Sequence, residues 1–528
     1  MGTSQEPDSL IRVMGNLAIS GDVMSFMWRR LMELGPDGRG RCTLCTELPT
    51  LENGLWKIDE EKGTSEATFH LRRGRKWADG VEITAKDAAF AWELKTDPQY
   101  EYGPTQLVPI AGVEVVDDYT LRVGYSTIWP FADSDIRGIF LPDHYYRPIW
   151  NHYKSEGGTY WERFIADERV SVKPLVNGPF QVDEWVSGSH ILLTRNPNYN
   201  LTEPPKIDRV LVRIIPDLNT LAVNVRTRQL HLTDGWLTLD QTKGLTETAG
   251  LEVSYLNPMW LEHATLQINK PPLHDRRVRQ ALLHAIDRDG MNDALFRGRQ
   301  PTADSWLAPY HPAYSPAVRK YKYDSTEALR LLAESGWTRG PAGALRNGQG
   351  DPLSLTLVTI AGDKLRAQVS EVIQAQWAEL GIDVTISPQS ARLLFSDTLA
   401  KSSLPPGGVA IWRWVIASQD AHYANTLWKP KDEHNLDHLL KKSPWGRVRR
   451  NIELIEQAVK TVDPEARYAL LREQQEIWAE ELPTLPLYWH VRVVTVEQSL
   501  QGYDPHPFAE IGWNVEQWDI LSDKQAGH

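Results

Sequence analysis

Few residues in this chain are spaced as metal ligands or catalytic groups are. His434 and His438 stand at i, i+4 beside Glu433 and Asp437, a spacing that puts two imidazoles on one helical face. No third ligand of evident placement accompanies them, so the pattern reads as a solvated polar face rather than a metal site. The only cysteines, Cys42 and Cys45, make one C-x-x-C. A tetrahedral zinc site needs a second pair or nearby histidines. A redox-active pair needs a thioredoxin-like context, whereas these cysteines lie between GPDGRG and ELPTLENG. A local disulfide is the favoured reading and free thiols the alternative, which thiol counting under denaturation separates.

Motifs for covalent or phosphoryl chemistry are missing. The chain holds no G-x-S-x-G, no H-E-x-x-H and no G-x-x-x-x-G-K-[ST]. Acidic pairs such as Glu60-Glu61 and Glu480-Glu481 are adjacent, and adjacent side chains on a helix point apart. The expectation is a protein with no catalytic residues and no cofactor.

Tryptophan stands out instead, at 21 in 528 residues, roughly twice average usage. An indole is flat and amphipathic, suited to stacking on a sugar face or an apolar ligand while its N–H finds a polar partner. Trp92, Trp377 and Trp478 follow helical core periodicity and read as packing. Trp28, Trp236, Trp260, Trp306, Trp412 and Trp414 lie where strands end or loops begin, and are candidate ligand-binding residues.

These residues must be positioned by alternating strands and helices. In TFHLRRGRKWADGVEITAKDAAFAWE (68–93), Phe69 and Leu71 alternate with polar residues as a half-buried strand does. Asp79-Gly80 marks a turn, and Thr84 with Asp87 forms a capping box for a helix carrying Phe90, Trp92 and Leu94. In DRRVRQALLHAIDRDG (275–290), Val278, Ala281, Leu282, Ala285 and Ile286 share a helical face behind Asp275. Val369, Val372, Ile373, Trp377 and Leu380 share another, which stops at Gly381 and resumes as a strand. Asp463-Pro464 starts a helix through Leu471, Ile477 and Trp478. RVLVRIIPD (209–217) and LSLTLVTIAG (353–362) read as strands.

Length and charge bound the class. At about 150 residues per domain, 528 residues suggest about three domains. A net charge of -12 argues against a nucleic-acid partner, because phosphate binding depends on Lys and Arg displacing counterions. No run of about 18 apolar residues spans a membrane. MGTSQEPDSL lacks the regions of a signal peptide, so the chain reads as cytosolic or as beginning after a cleavage site.

The segment 68–93 resembles the signature region of the family 5 solute-binding proteins of ABC importers, the oligopeptide and dipeptide class, in its strand, LR-G-x-x-W-x-DG and TA-x-D order. The resemblance continues in order through NGPFQVDEWVSGSHILLTRNPNY (177–199), PKIDRVLVRIIPD (205–217) and LQINKPPLHDRRVRQALLHAIDRDGM (266–291). It extends to YDSTEALRLLAESGW (323–337), IQAQWAELGIDV (373–384) and LLREQQEIWAEELPTLPLYW (470–489).

The resemblance implies an α/β, two-lobed periplasmic-binding-protein-like fold of type II with an inserted α/β domain. By analogy, lobe I takes about 1–40, 178–262 and 488–528, the insert 41–177, and lobe II 263–487. It implies a monomeric receptor at the periplasmic or extracellular face, partnered by a small-molecule ligand and the importer's permease. The only membrane link would be a possible removed anchor. In peptide-binding members a W-x-x-D run supplies the carboxylate for a peptide's ammonium. The matching run here is Trp414-Val415-Ile416-Ala417, with Asp420 the alternative carboxylate three residues on. An unpaired buried ammonium costs several kcal/mol. The reading therefore favours an oligosaccharide or sugar conjugate stacked on Trp236, Trp260 and Trp414 over an oligopeptide or dipeptide. The same tryptophans read alternatively as core. A carbohydrate-active hydrolase, and a receptor for another protein through the insert, are the rivals.

Overall fold

The strand Thr64–His70 alternates half-buried and buried positions, with Ser65, Ala67 and Phe69 turned inward, as its period-two sequence predicts. The computed structural model describes all of the chain except residues 12–16, 37, 101–108, 133–139, 258–259, 341–342, 391–392, 400–402, 416–445 and 522–528. His434, His438, Ala417 and Asp420 lie outside the described residues.

The chain divides into two units, one of Met1–Leu256 with Arg492–His528 and one of Asn257–Val491. In the first, one four-stranded antiparallel sheet draws its strands from Trp56–Asp59, Thr64–His70, Thr120–Tyr125 and Ile110–Asp117. The helix Ala85–Lys95 packs on it. Asp87 anchors this helix: its carboxylate accepts from Thr84 N at 2.8 Å, Trp77 Nε1 at 3.1 Å and Asp143 N at 2.9 Å. Burial raises its pKa, and the hydrogen bonds only partly offset this, leaving it at about 6. Phe90, Ala91 and Leu94 are buried, but Trp92 is only half-buried, because residues two apart on a helix face different ways.

A second four-stranded sheet orders Gly2–Thr3, Arg209–Ile214, His190–Arg195 and Phe180–Val186. The turn before Phe180 closes on the helix Ala18–Met27: Asn177 exchanges two hydrogen bonds of 2.9 Å with the backbone of Arg29. Gly178 is needed there, since a Cβ would lie 2.3 Å from the Met27 carbonyl carbon. A three-stranded antiparallel sheet sets Arg492–Glu497 between Leu232–Asp234 and Leu251–Leu256. Cys42 and Cys45 are joined, with Cα atoms 5.0 Å apart, at the end of the hairpin Met32–Leu34/Gly40–Cys42.

The second unit is built on a five-stranded mixed sheet, in the order Asp383–Gln389, Ser354–Ile360, Gly408–Val415, Trp260–Leu266 and Thr484–Trp489. The helix Lys364–Glu379 crosses between the parallel strands Ser354–Ile360 and Asp383–Gln389 and buries Val369, Ile373 and Trp377, while Val372 is half-buried. The helix Arg276–His284 begins at Asp275, whose carboxylate accepts from Arg277 N, and buries Val278, Ala281 and Leu282. Pro464–Glu481 begins at Asp463 and buries Leu471 and Trp478, with Ile477 half-buried.

Candidate ligand-binding site

The strand Trp260–Leu266 is buried throughout except at Trp260, yet it carries an acid, Glu262, with no exposed surface. A buried carboxylate must be paired. Arg366 supplies a two-pronged partner, Nε to Oε1 at 2.5 Å and Nη2 to Oε2 at 3.1 Å. His490 Nε2 lies 2.6 Å from Oε2. Asp363, which caps the helix Lys364–Glu379 by accepting from Arg366 N, also pairs with the Arg366 guanidinium at 2.6 Å. Burial alone would raise the pKa of Glu262, but Arg366 and His490 hold it well below the usual carboxylate range. Burial lowers the pKa of His490 despite this bond, so the imidazole is neutral and its Nε2–H donates.

Glu262 pairs across the sheet with Arg413. Arg413 differs from Arg366: its side chain is exposed, and among the described residues no carboxylate lies within ion-pair distance. Its guanidinium stands 4.6 Å from the ring centre of Trp260. Desolvation by the protein around it, and then the charge of Arg366, lower its pKa.

Strand alternation places the neighbouring tryptophans on the other face. Leu261 pairs with Trp414 and His263 with Trp412, so these indoles share a face with His263, while Trp260, Glu262 and Arg413 share the opposite one. Trp412 is buried, donates to Thr265 Oγ1 at 2.9 Å and packs edge-on against His263, Phe395 and Trp414. Trp414 is half-buried.

In the first unit, Trp236 is half-buried and its Nε1 donates to Asp22 Oδ2 at 3.1 Å. Asp22 projects from the helix Ala18–Met27. Beside it Asp234, buried, pairs with Arg492 at 2.9 Å and accepts a hydrogen bond from the Tyr503 hydroxyl. Burial, then the charge of Asp234, raises the pKa of Asp22 well above the usual range.

The sequence-chosen tryptophans therefore divide. Trp28 donates to Leu10 O at 3.0 Å, Trp306 to Gln474 Oε1 at 2.7 Å and Trp412 to Thr265, each with its ring at most 2% exposed. Their N–H groups are satisfied internally and no face is open, so packing replaces stacking as their role. Trp236, Trp260 and Trp414 keep accessible surface. Trp260 and Trp414 sit on opposite sheet faces, which separates two of the three rings expected to stack on one ligand. Asp22, Glu262, Arg366, Arg413 and His490 were not singled out by sequence, although an acid in WLEHATL and an arginine between two indoles in WRW are anomalies for buried strands.

Two α/β units, each built on its own sheets, are the fold of a binding protein of the two-lobed periplasmic class. Residues 50–435 match the bacterial extracellular solute-binding proteins, family 5 (middle region), and the chain belongs to that family. It is similar to the oligopeptide-binding protein AppA of Bacillus subtilis (strain 168), 24% identical over 478 residues, which is 87% of this chain and 82% of the relative. The oligopeptide binding protein from Thermus thermophilus, solved in complex with a pentapeptide, superposes with a TM-score of 0.81 at 27% identity. That match covers 100% of this chain and 96% of the other. NikA from Brucella suis, solved with Fe(III)-EDTA, shares the fold at a TM-score of 0.78 and 20% identity, covering 95% of each chain. The protein is a solute-binding receptor of the ABC-importer class, whose members are periplasmic or extracellular. Among the described residues, no helix is long and apolar enough to cross a membrane.

Proposed function

We propose that this receptor captures short peptides and delivers them unchanged to its importer's permease. The observation that carries this reading is Arg413: an exposed guanidinium on the Trp260 ring, with no carboxylate partner among the described residues. A permanently charged, partly desolvated fork suits the terminal carboxylate of a peptide, whereas a neutral oligosaccharide would leave it uncompensated. The Bacillus and Thermus relatives, named for oligopeptides, favour the same class over the sugar reading. Trp260 would pack against the ligand beside Arg413, and the sheet of strands between Trp56 and Tyr125 would form the inserted domain.

Binding would shift an equilibrium between open and closed states by the ligand's differential affinity for the closed one. No covalent step is needed, and a hydrolase would return a cleaved ligand where a receptor returns it intact. The test is native mass spectrometry of freshly purified protein, followed by denaturation and identification of what is released. A mixed population of short peptides supports the proposal, and a single sugar conjugate or metal chelate would overturn it.

A further inference from the structure

The charged groups around Trp236, Asp22 apart, can be followed to their partners. Asp234 is taken by Arg492 and Tyr503, and Glu510 by Arg30. Asp22 is different. Its carboxylate receives the Trp236 N–H at 3.1 Å, and among the described residues no cation lies within ion-pair distance of it. Arg492 faces both Asp22 and Asp234 but bonds only the second, so the pair of acids shares one positive charge. The hydrogen bond also fixes the indole beside the carboxylate, and both side chains keep partial exposure. An indole fixed by its N–H edge on a carboxyl group that no described cation bonds gives a cation two attractions, the carboxylate that ionises on its arrival and the quadrupole of the ring face.

We propose that Asp22 and Trp236 form a specificity site for a primary ammonium group of the ligand. The inference rests on the peptide reading and deepens it: Asp22 supplies a counter-charge for an amine. An ammonium there would bring the acids and cations around Asp234 into balance. The burial that raises the Asp22 pKa makes its ionised form costly when the site is empty, so cation binding is expected to release a proton. The amine can be a peptide's α-ammonium or a lysine side chain, and one experiment separates them.

Wild-type protein, stripped of ligand and refolded, is incubated with a random pentapeptide library in which half of each sequence is N-acetylated; the retained peptides are then eluted and quantified. The expected result is at least tenfold enrichment of amine-bearing members. Enrichment of free N-termini assigns the site to the α-ammonium, and enrichment of acetylated members containing lysine assigns it to the side chain. In Asp22→Asn the enrichment disappears while acetylated, lysine-free members are retained as in wild type. Trp236→Phe, which keeps a ring and loses the N–H, reduces the enrichment without abolishing it. An enrichment unchanged in Asp22→Asn, or no enrichment in wild type, overturns this inference alone. Failure of wild type to retain any library member overturns the peptide reading together with it.

Discussion

The two charged clusters, one in each unit, are built alike and differ in sign at one position. Around Glu262 the carboxylates are paired, through Arg366 and His490, and the group left without a carboxylate among the described residues is a cation, Arg413. Around Asp234 the pair with Arg492 is closed, and the group left without a cation among the described residues is an acid, Asp22. The paired acids Glu262 and Asp234 are buried, whereas Arg413 is exposed and Asp22 half-buried. Physical chemistry gives the division of labour: a buried pair fixes local geometry, because removing one partner strands the other, while an unpaired group waits for a partner from outside.

Breaking the pairs should therefore cost stability, and breaking the unpaired groups should cost binding. The largest effect is expected for Glu262→Ala, which leaves Arg366 without its main partner and removes the acceptor of His490: a loss of about 3–5 kcal/mol, read by urea denaturation. Asp87→Ala, away from both clusters, takes the acceptor from the buried Trp77 N–H and the half-buried Thr84 and Asp143 N–H groups and should cost on the order of 3 kcal/mol by the same method. Arg413→Gln should weaken binding of peptides with a free carboxylate by about 2–3 kcal/mol in calorimetric titration. It should spare amidated peptides and change stability by less than about 0.5 kcal/mol.

A pH series sharpens the comparison on the opposite face of the sheet. Burial lowers the pKa of His263 to about 4. The unfolded chain takes up this proton first, near pH 6.5, so stability present above that value is lost as pH falls toward 4, by up to about 3 kcal/mol. In His263→Gln the denaturation midpoint should fall less between pH 7 and pH 4 than in wild type. The smallest effect, and the one of opposite sign, is expected for Asp22→Asn. With a raised carboxylate pKa, removing the charge should leave stability at pH 7 unchanged or slightly higher, measured by thermal unfolding.

The elements were legible in the sequence where periodicity and capping coincide. Asp275, Asp463 and the Thr84/Asp87 box all mark helix starts, and the 64–70, 209–214 and 354–360 strands follow their apolar patterns. The site was less legible, because loop-adjacent indoles of one residue type split by burial: Trp306 fills the core against Gln474, while Trp236 keeps an open face. Which face an indole takes depends on strand register, and no local pattern fixed that Trp260 pairs with Val415 and Trp414 with Leu261. The charged residues were hidden for a related reason. Arg413 and Arg366 look alike in sequence, and only the tertiary partner Glu262 distinguishes the structural arginine from the one without a carboxylate among the described residues.

The most direct measurement is a paired readout on Arg413→Gln and Asp22→Asn: thermal midpoint and calorimetric affinity for a peptide identified among those released from the native protein. The account predicts a weakened affinity in both variants with midpoints within a few degrees of wild type. Midpoints that collapse with the affinity, or affinities that do not move, would show that these unpaired charges belong to the scaffold and not to the ligand site.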